Sequence, residues 1–145
     1  MPRKKRAGRV AKGGAVFNHA MVYAADVERS LRFYRDSLGL RLIETFEHGG
    51  KIAYARLRSA SGGTTIALHL LGEDVTAAQS GGIRLYFEVR NLPTVCKKLS
   101  ASGVKFKQMP KRMPWGWDHA YLDDPDGYEV SLYWAGKKRF QKSRM

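Results

Sequence analysis

The 145 residues, 43% of them hydrophobic, suffice for one well-buried core and leave no room for two large domains. A lone Cys96 excludes an intramolecular disulfide, no run approaches the roughly 18 consecutive apolar residues of a membrane span, and the basic start at Met1 to Arg6 is not followed by a signal-peptide apolar region, so a cytoplasmic location is expected. The net charge of +13 sits at the ends: residues 1–14 carry six basic side chains and 137–145 carry five, with no acid in either, and setting these 11 aside from the 26 leaves 15 basic against 13 acidic residues. That distribution predicts a basic flexible arm (1–14) and a basic tail (137–145), able to hold polyanions without sequence specificity, around a nearly neutral domain at 15–136.

After the Gly13-Gly14 joint, Val16 to Ala24 reads as a strand with His19, Met21 and Tyr23 on one face. Asp26 is placed to cap a helix in which Val27, Leu31, Tyr34 and Leu38 recur at helical spacing until Gly39 stops it. Strands at Leu40 to Phe46, Ile52 to Leu57 and Thr64 to Leu71 complete a βαβββ order over 16–71, and a polar link runs from Gly72 to Gly82. A second unit, 82–135, repeats the plan. Ile83 to Val89 is a strand, Asn91 a cap, Leu92, Val95, Cys96 and Leu99 the inner face of a helix ended by Gly103, and Val104 to Met109 a strand. Cys96 reads as a plain core residue. At an offset of 65 residues His19 meets Arg84, Val22 meets Phe87, Asp26 meets Asn91 and Val27 meets Leu92, which marks two copies of one supersecondary unit sharing a core.

The last two strands, Trp117 to Asp123 and Tyr128 to Trp134, are joined by Asp124-Pro125-Asp126-Gly127. Proline presets φ there, Asp126 is suited to local backbone N–H groups, and Gly127 accepts positive φ. Alternation assigns Val130, Leu132 and Trp134 to the core. Glu129, Ser131 and Tyr133 fall on the opposite face with Trp117, His119 and Tyr121, a mixture suited to a ligand cleft.

The segments FNHAMVYAADVERSLRFYRDSLGLRLI, TTIALHLL, IRLYFEVRNL, ASGVKF and DPDGYEVSL together resemble the vicinal oxygen chelate superfamily, which includes glyoxalase I, bleomycin resistance proteins, fosfomycin-modifying enzymes and extradiol dioxygenases. The resemblance implies an α+β fold of two tandem βαβββ modules, forming a curved eight-stranded sheet around a cleft, with helices outside and a dimer partner commonly completing the cleft. It places the metal-ligand positions of the family's metalloenzymes at His19, Ala67, Arg84 and Ser131, of which only His19 is a competent ligand. A displaced set of His19, His69, His119 and Glu129 offers three imidazoles and a carboxylate, although moving two residues along a strand shifts Cβ by roughly 7 Å.

The reading that results is a homodimeric binder of a small organic ligand, anionic or aromatic, with no essential metal cofactor, as in the bleomycin resistance branch. Tyr23, Tyr86, Trp115, Trp117, Tyr121 and Tyr133 would supply flat surface, and His19, Arg84, His119, Glu129 and Ser131 polar contacts, with His19 and Glu129 the acid/base candidates if a reaction occurs. Two alternatives stand beside it. One is a metal-dependent lyase, isomerase or dioxygenase with a divalent ion at the displaced site. The other is an interaction protein whose tails contact nucleic acid or acidic partners.

Overall fold

The structure, a computed structural model, describes residues 15, 17–72 and 83–136; the two basic arms, Val16 and nearly all of the Gly72 to Gly82 link lie outside the described residues. The chain runs β1 (His19–Ala24), α1 (Val27–Leu31) continuing as a π-helical segment (Arg32–Ser37), β2 (Arg41–His48), β3 (Lys51–Arg58), β4 (Thr65–Leu70), then β5 (Arg84–Glu88), α2 (Leu92–Ala101), β6 (Phe106–Arg112), β7 (Asp118–Asp123) and β8 (Glu129–Trp134). Hydrogen bonding divides the eight strands into two four-stranded sheets with the same topology, β1-β4-β3-β2 and β5-β8-β7-β6. In each, the first and last strands of the module pair in parallel and the other two pairs are antiparallel. The repeat read at an offset of 65 residues is therefore a repeat of whole βαβββ modules.

The buried residues of both modules form one cluster, in which Val22, Leu31, Tyr34, Leu57 and Leu68 of the first join Leu92, Cys96, Leu122, Val130 and Leu132 of the second. Neither module of this size would bury enough apolar surface alone. Asp26 caps α1 as expected, its Oδ1 accepting from Arg29 N at 3.2 Å. The helix then departs from regular α spacing, with Leu38 N donating to Phe33 O, five residues back, at 3.0 Å. The wider turn lets adjacent Phe33 and Tyr34 both face inward, 9% and 0% exposed, which a 3.6-residue period does less well.

Two expectations need correction. Asn91 makes no side-chain capping bond and sits at φ 54°. Pro93 follows at the second helical position and has no N–H, removing one of the two donors a cap would serve. In the β7–β8 turn it is Asp124, not Asp126, that serves the local backbone: Asp124 Oδ1 accepts from Asp126 N at 2.8 Å and Tyr128 N at 2.9 Å. Asp126 instead reaches the first module, where its carboxylate accepts from Ala25 N at 2.9 Å, Ser30 Oγ at 2.8 Å and Arg29 Nη2 at 3.2 Å. Tyr34 donates to Asp124 Oδ2 at 2.7 Å beneath it. A turn whose sequence announces only a hairpin is thus the polar pin between the modules, and it fixes how the two sheets are disposed.

Candidate functional site

Because side chains alternate along a strand, the core-facing set Leu85, Phe87, Ala120, Leu122, Val130 and Leu132 leaves a second set on the opposite face of the β5–β8–β7 sheet. Register brings that set together, with Tyr86 beside Ser131, Ser131 beside Tyr121, and Tyr133 beside His119. His119 is its centre. The ring is 3% exposed and is walled by Trp115 (centroids 5.3 Å), Tyr133 (5.5 Å), Tyr121 (5.8 Å), Tyr86 (6.0 Å) and Trp117 (6.4 Å). Trp117 and Tyr133 lie nearly parallel, 12° apart with centroids at 5.5 Å. Tyr86 and Trp115 are the water-facing members, 54% and 44% exposed.

Both nitrogens of His119 are engaged within the protein. Trp115 Nε1, which can only donate, lies 3.2 Å from His119 Nε2, so the neutral ring carries its proton on Nδ1, 2.9 Å from Ser131 Oγ. Burial, then the nearby Arg84 charge, pushes the imidazole pKa below its ordinary value, against a smaller opposing pull from Asp118. The Ser–His contact is therefore not an activated nucleophile. The ring donates to the hydroxyl rather than taking its proton, and Ser131 is 0% exposed.

Arg84 extends the same face. Its guanidinium lies over the Tyr121 ring at 4.3 Å, donates to Glu129 Oε1 at 2.9 Å and contacts the Tyr86 hydroxyl at 3.4 Å. The pairing changes what these residues can do: Glu129 meets the charge of Arg84, so the two present a donor edge beside an acceptor edge rather than a lone cation.

His19 belongs to a separate arrangement on the first module. Arg56 Nη2 lies 2.9 Å from its Nδ1, the Asn18 side-chain oxygen is 2.8 Å from the same nitrogen, and the Arg56 guanidinium is 3.9 Å from Glu44. Ala67 is the neighbour of Arg56 in the β3–β4 register and of Met21 in the β1–β4 register. With only a methyl group at Ala67, the long Arg56 side chain can cross the sheet toward His19. Tyr23 lies beside His69, centroids 5.5 Å apart, and His69 Nδ1 donates to Leu70 O at 2.7 Å. Arg56 was absent from the sequence reading. A small residue at Ala67, a position that the resemblance gives to a metal-ligating acid or amide, was its only signal, and the cross-strand register needed to use that signal is not local.

The residues present do not make the family's metal site. Ala67 has no donor atom, Arg84 is a cation and Ser131 is buried against His119, which leaves His19 as the one competent ligand of the four positions. The displaced set fits no better, because His119 has both nitrogens bonded and Glu129 holds Arg84. Among the described residues no three of His, Cys, Asp and Glu gather as a metal-holding group. Among them, too, no helix is long and apolar enough to cross a membrane.

Known proteins share this architecture. A probable lactoylglutathione lyase from Synechocystis sp. (strain ATCC 27184 / PCC 6803 / Kazusa) is 28% identical over 126 residues, covering 83% of this chain and 96% of the relative. Among solved structures, a member of the glyoxalase/bleomycin resistance protein/dioxygenase superfamily from Sphaerobacter thermophilus DSM 20745 superposes with a TM-score of 0.66 at 26% identity, covering 82% of this chain and 96% of its own. An antibiotic binding protein from Streptomyces sp. CB03234 superposes with a TM-score of 0.65 at 23% identity, covering 81% and 93%, and so shares the fold. Residues 16–132 match the sequence signature of one family, and the chain belongs to it: the Glyoxalase/Bleomycin resistance protein/Dioxygenase superfamily.

Proposed function

We propose that this chain binds a small, flat organic molecule on the aromatic face of its second module, without an essential metal and as a homodimer. The observation that carries the reading is the set of rings around His119, with Tyr86 and Trp115 open to water and the Arg84–Glu129 pair at its border. An aromatic plate beside a few fixed polar groups is the usual composition of a small-molecule site. The earlier expectation of an anionic ligand is modified by the Glu129 contact, since a paired arginine favours a neutral group able to accept and donate at once. His19, held by Arg56, would lie outside that contact. The dimer is supported by β2, whose eight residues are all exposed and include Leu42, Ile43 and Phe46 at 38%, 44% and 61%, an apolar edge of the kind a second copy covers.

A lyase is the second reading, favoured by the name of the Synechocystis relative, with a divalent ion as the superfamily resemblance implies. One experiment separates the two. Chelator-stripped protein is titrated with 2-naphthamide, a flat neutral probe, while the intrinsic fluorescence of its three tryptophans is followed, with and without Zn²⁺, Ni²⁺, Mn²⁺ or Fe²⁺. Saturable quenching that is independent of metal and weakened by Arg84→Met supports the proposal. Micromolar uptake of one ion per chain, lost in His19→Ala, sinks it in favour of the lyase reading.

A further inference from the structure

A cavity of about 320 Å³ lies at the seam between the modules, against β1 and β5, the outer strands of the two sheets. Its lining is largely apolar: Ala20, Leu57 and Ile66 come from the first module, Leu85 and Phe87 from the second. Phe17 stands at the same cavity with 71% of its surface in water, an arrangement that costs free energy unless something covers the ring. One side is polar. Arg58 and Thr65 are there, and the Arg58 side chain makes no ion pair or hydrogen bond to any described residue, in contrast to Arg84, which Glu129 neutralises. An apolar slot closed at one side by an unpaired cation has the complementarity of a single chemical class, a short alkyl chain ending in an anion.

We propose that this seam is a second binding site, which takes a medium-chain alkyl carboxylate with its tail between Leu57, Ile66 and Phe87 and its head on Arg58. The site is distinct from the stacked rings around His119, although Arg84 and Tyr86 border both. Its occupant touches both modules at once, so binding stiffens the junction that the Asp124–Asp126 turn pins from elsewhere. The volume, near the low end for ligand pockets, fits a chain of modest length rather than a long lipid.

The test is calorimetric titration of the full-length protein with hexanoate, octanoate and decanoate below their micelle concentrations, with octan-1-ol as the neutral control. The expected result is one site per chain, with the dissociation constant falling about fourfold for each added methylene until the slot is full. Arg58→Gln should weaken octanoate a few fold and leave octan-1-ol unchanged, as expected for an exposed charge. Ala20→Leu, which fills the slot from a partly exposed strand position, should weaken octanoate at least tenfold. Trp117→Ala should leave octanoate binding intact. The proposal is overturned if affinity does not grow with chain length, if Arg58→Gln affects alcohol and carboxylate equally, or if Trp117→Ala abolishes binding, which would place the probe on the aromatic face. The chain-length series and the surface variant Arg58→Gln decide the matter even if Ala20→Leu does not fold.

Discussion

Replacing Tyr34 with Phe removes one oxygen from the pin between the modules, and the structure sets the size of the effect. The hydroxyl donates to Asp124 Oδ2 at 2.7 Å, and donor and acceptor are 0% and 4% exposed, so water cannot substitute for it. Burial, then the Asp124 carboxylate, pushes the Tyr34 pKa far above the usual phenol range, so this side chain is the donor at every accessible pH. Asp124 is itself raised, by burial first, while the Tyr34 hydrogen bond pulls it down. A carboxyl whose folded value is raised contributes stability that is fully present below its unfolded value, about 4, and is lost as pH rises through the folded value. Removing Tyr34 raises that folded value further, so the variant should lose more at high pH than at low.

A hydrogen bond to an ionised partner is worth about 2 kcal/mol, and a neutral one about 1 kcal/mol. Urea unfolding should therefore show Tyr34→Phe destabilised by about 2 kcal/mol at pH 8, narrowing toward about 1 kcal/mol at pH 4. The corresponding fall in Tm at pH 8 is about 8 °C for a domain of this length. Asp124→Asn, which keeps an acceptor for the two backbone N–H groups, should be milder than Asp124→Ala. A Tyr34→Phe penalty that is equal at both pH values, or larger at pH 4, would refute the claim that the hydroxyl stabilises an ionised, buried Asp124.

Ser131→Ala should cost about 1–3 kcal/mol by stranding the Nδ1–H of His119. In the parent protein the ring proton of His119 should titrate below the ordinary imidazole value by NMR, its stability contribution being present above about pH 6.5 and lost as pH falls; a midpoint above 6.5 would contradict the buried, neutral assignment. The thiol of Cys96, pushed up to about 11 by burial, should react with a disulfide reagent only on unfolding, and rapid labelling of the native protein would show that α2 opens. Trimming to residues 15–136 is expected to keep cooperative unfolding; a large stability loss would assign the arms a structural part.

The fold was legible because its signals are local. Asp26 ahead of Val27 and Leu31 and the alternation of Val130 with Ser131 follow from periods of 3.6 and 2 within a few residues, and the two modules repeat that local pattern at an offset of 65 residues. What the sequence hid depends on partners far along the chain. Asp126 reads as a turn residue because its bonds to Ala25 and Ser30 span about a hundred positions. Glu129 and Arg84 read as separate polar contacts because their pairing needs the parallel β5–β8 register. His19 and Arg84 align in the repeat, and the repeat says nothing about Arg56, which gives His19 a partner in its own sheet. The π-helical turn at Arg32–Ser37 was equally silent, since Tyr34 and Leu38 fit either period.

Trp115 and Trp117 stand two residues apart, and their contacts predict separable consequences. Trp117 stacks nearly parallel on Tyr133 and is only partly buried, so Trp117→Ala should cost the aromatic-pair contribution of about 0.5–1.5 kcal/mol plus the burial of its covered part, short of the roughly 3–5 kcal/mol of a fully buried ring. A flat ligand on this face would lose a stacking surface, and its affinity should fall 10- to 100-fold, within the range of an interface hot spot. Trp115 holds the acceptor nitrogen of His119 through its indole N–H. Trp115→Phe keeps the ring and removes the donor, so His119 should titrate closer to an ordinary imidazole while the stacked Trp117–Tyr133 pair remains. Ligand titration, urea unfolding and the His119 NMR titration on both variants read these effects independently. Failure of Trp117→Ala to fold would make that ring a core residue and remove the plate on which the proposed site depends. A His119 titration unmoved by Trp115→Phe would mean that the indole does not set the ring's proton, and the Ser131–His119 pair would then regain standing as a base and its nucleophile.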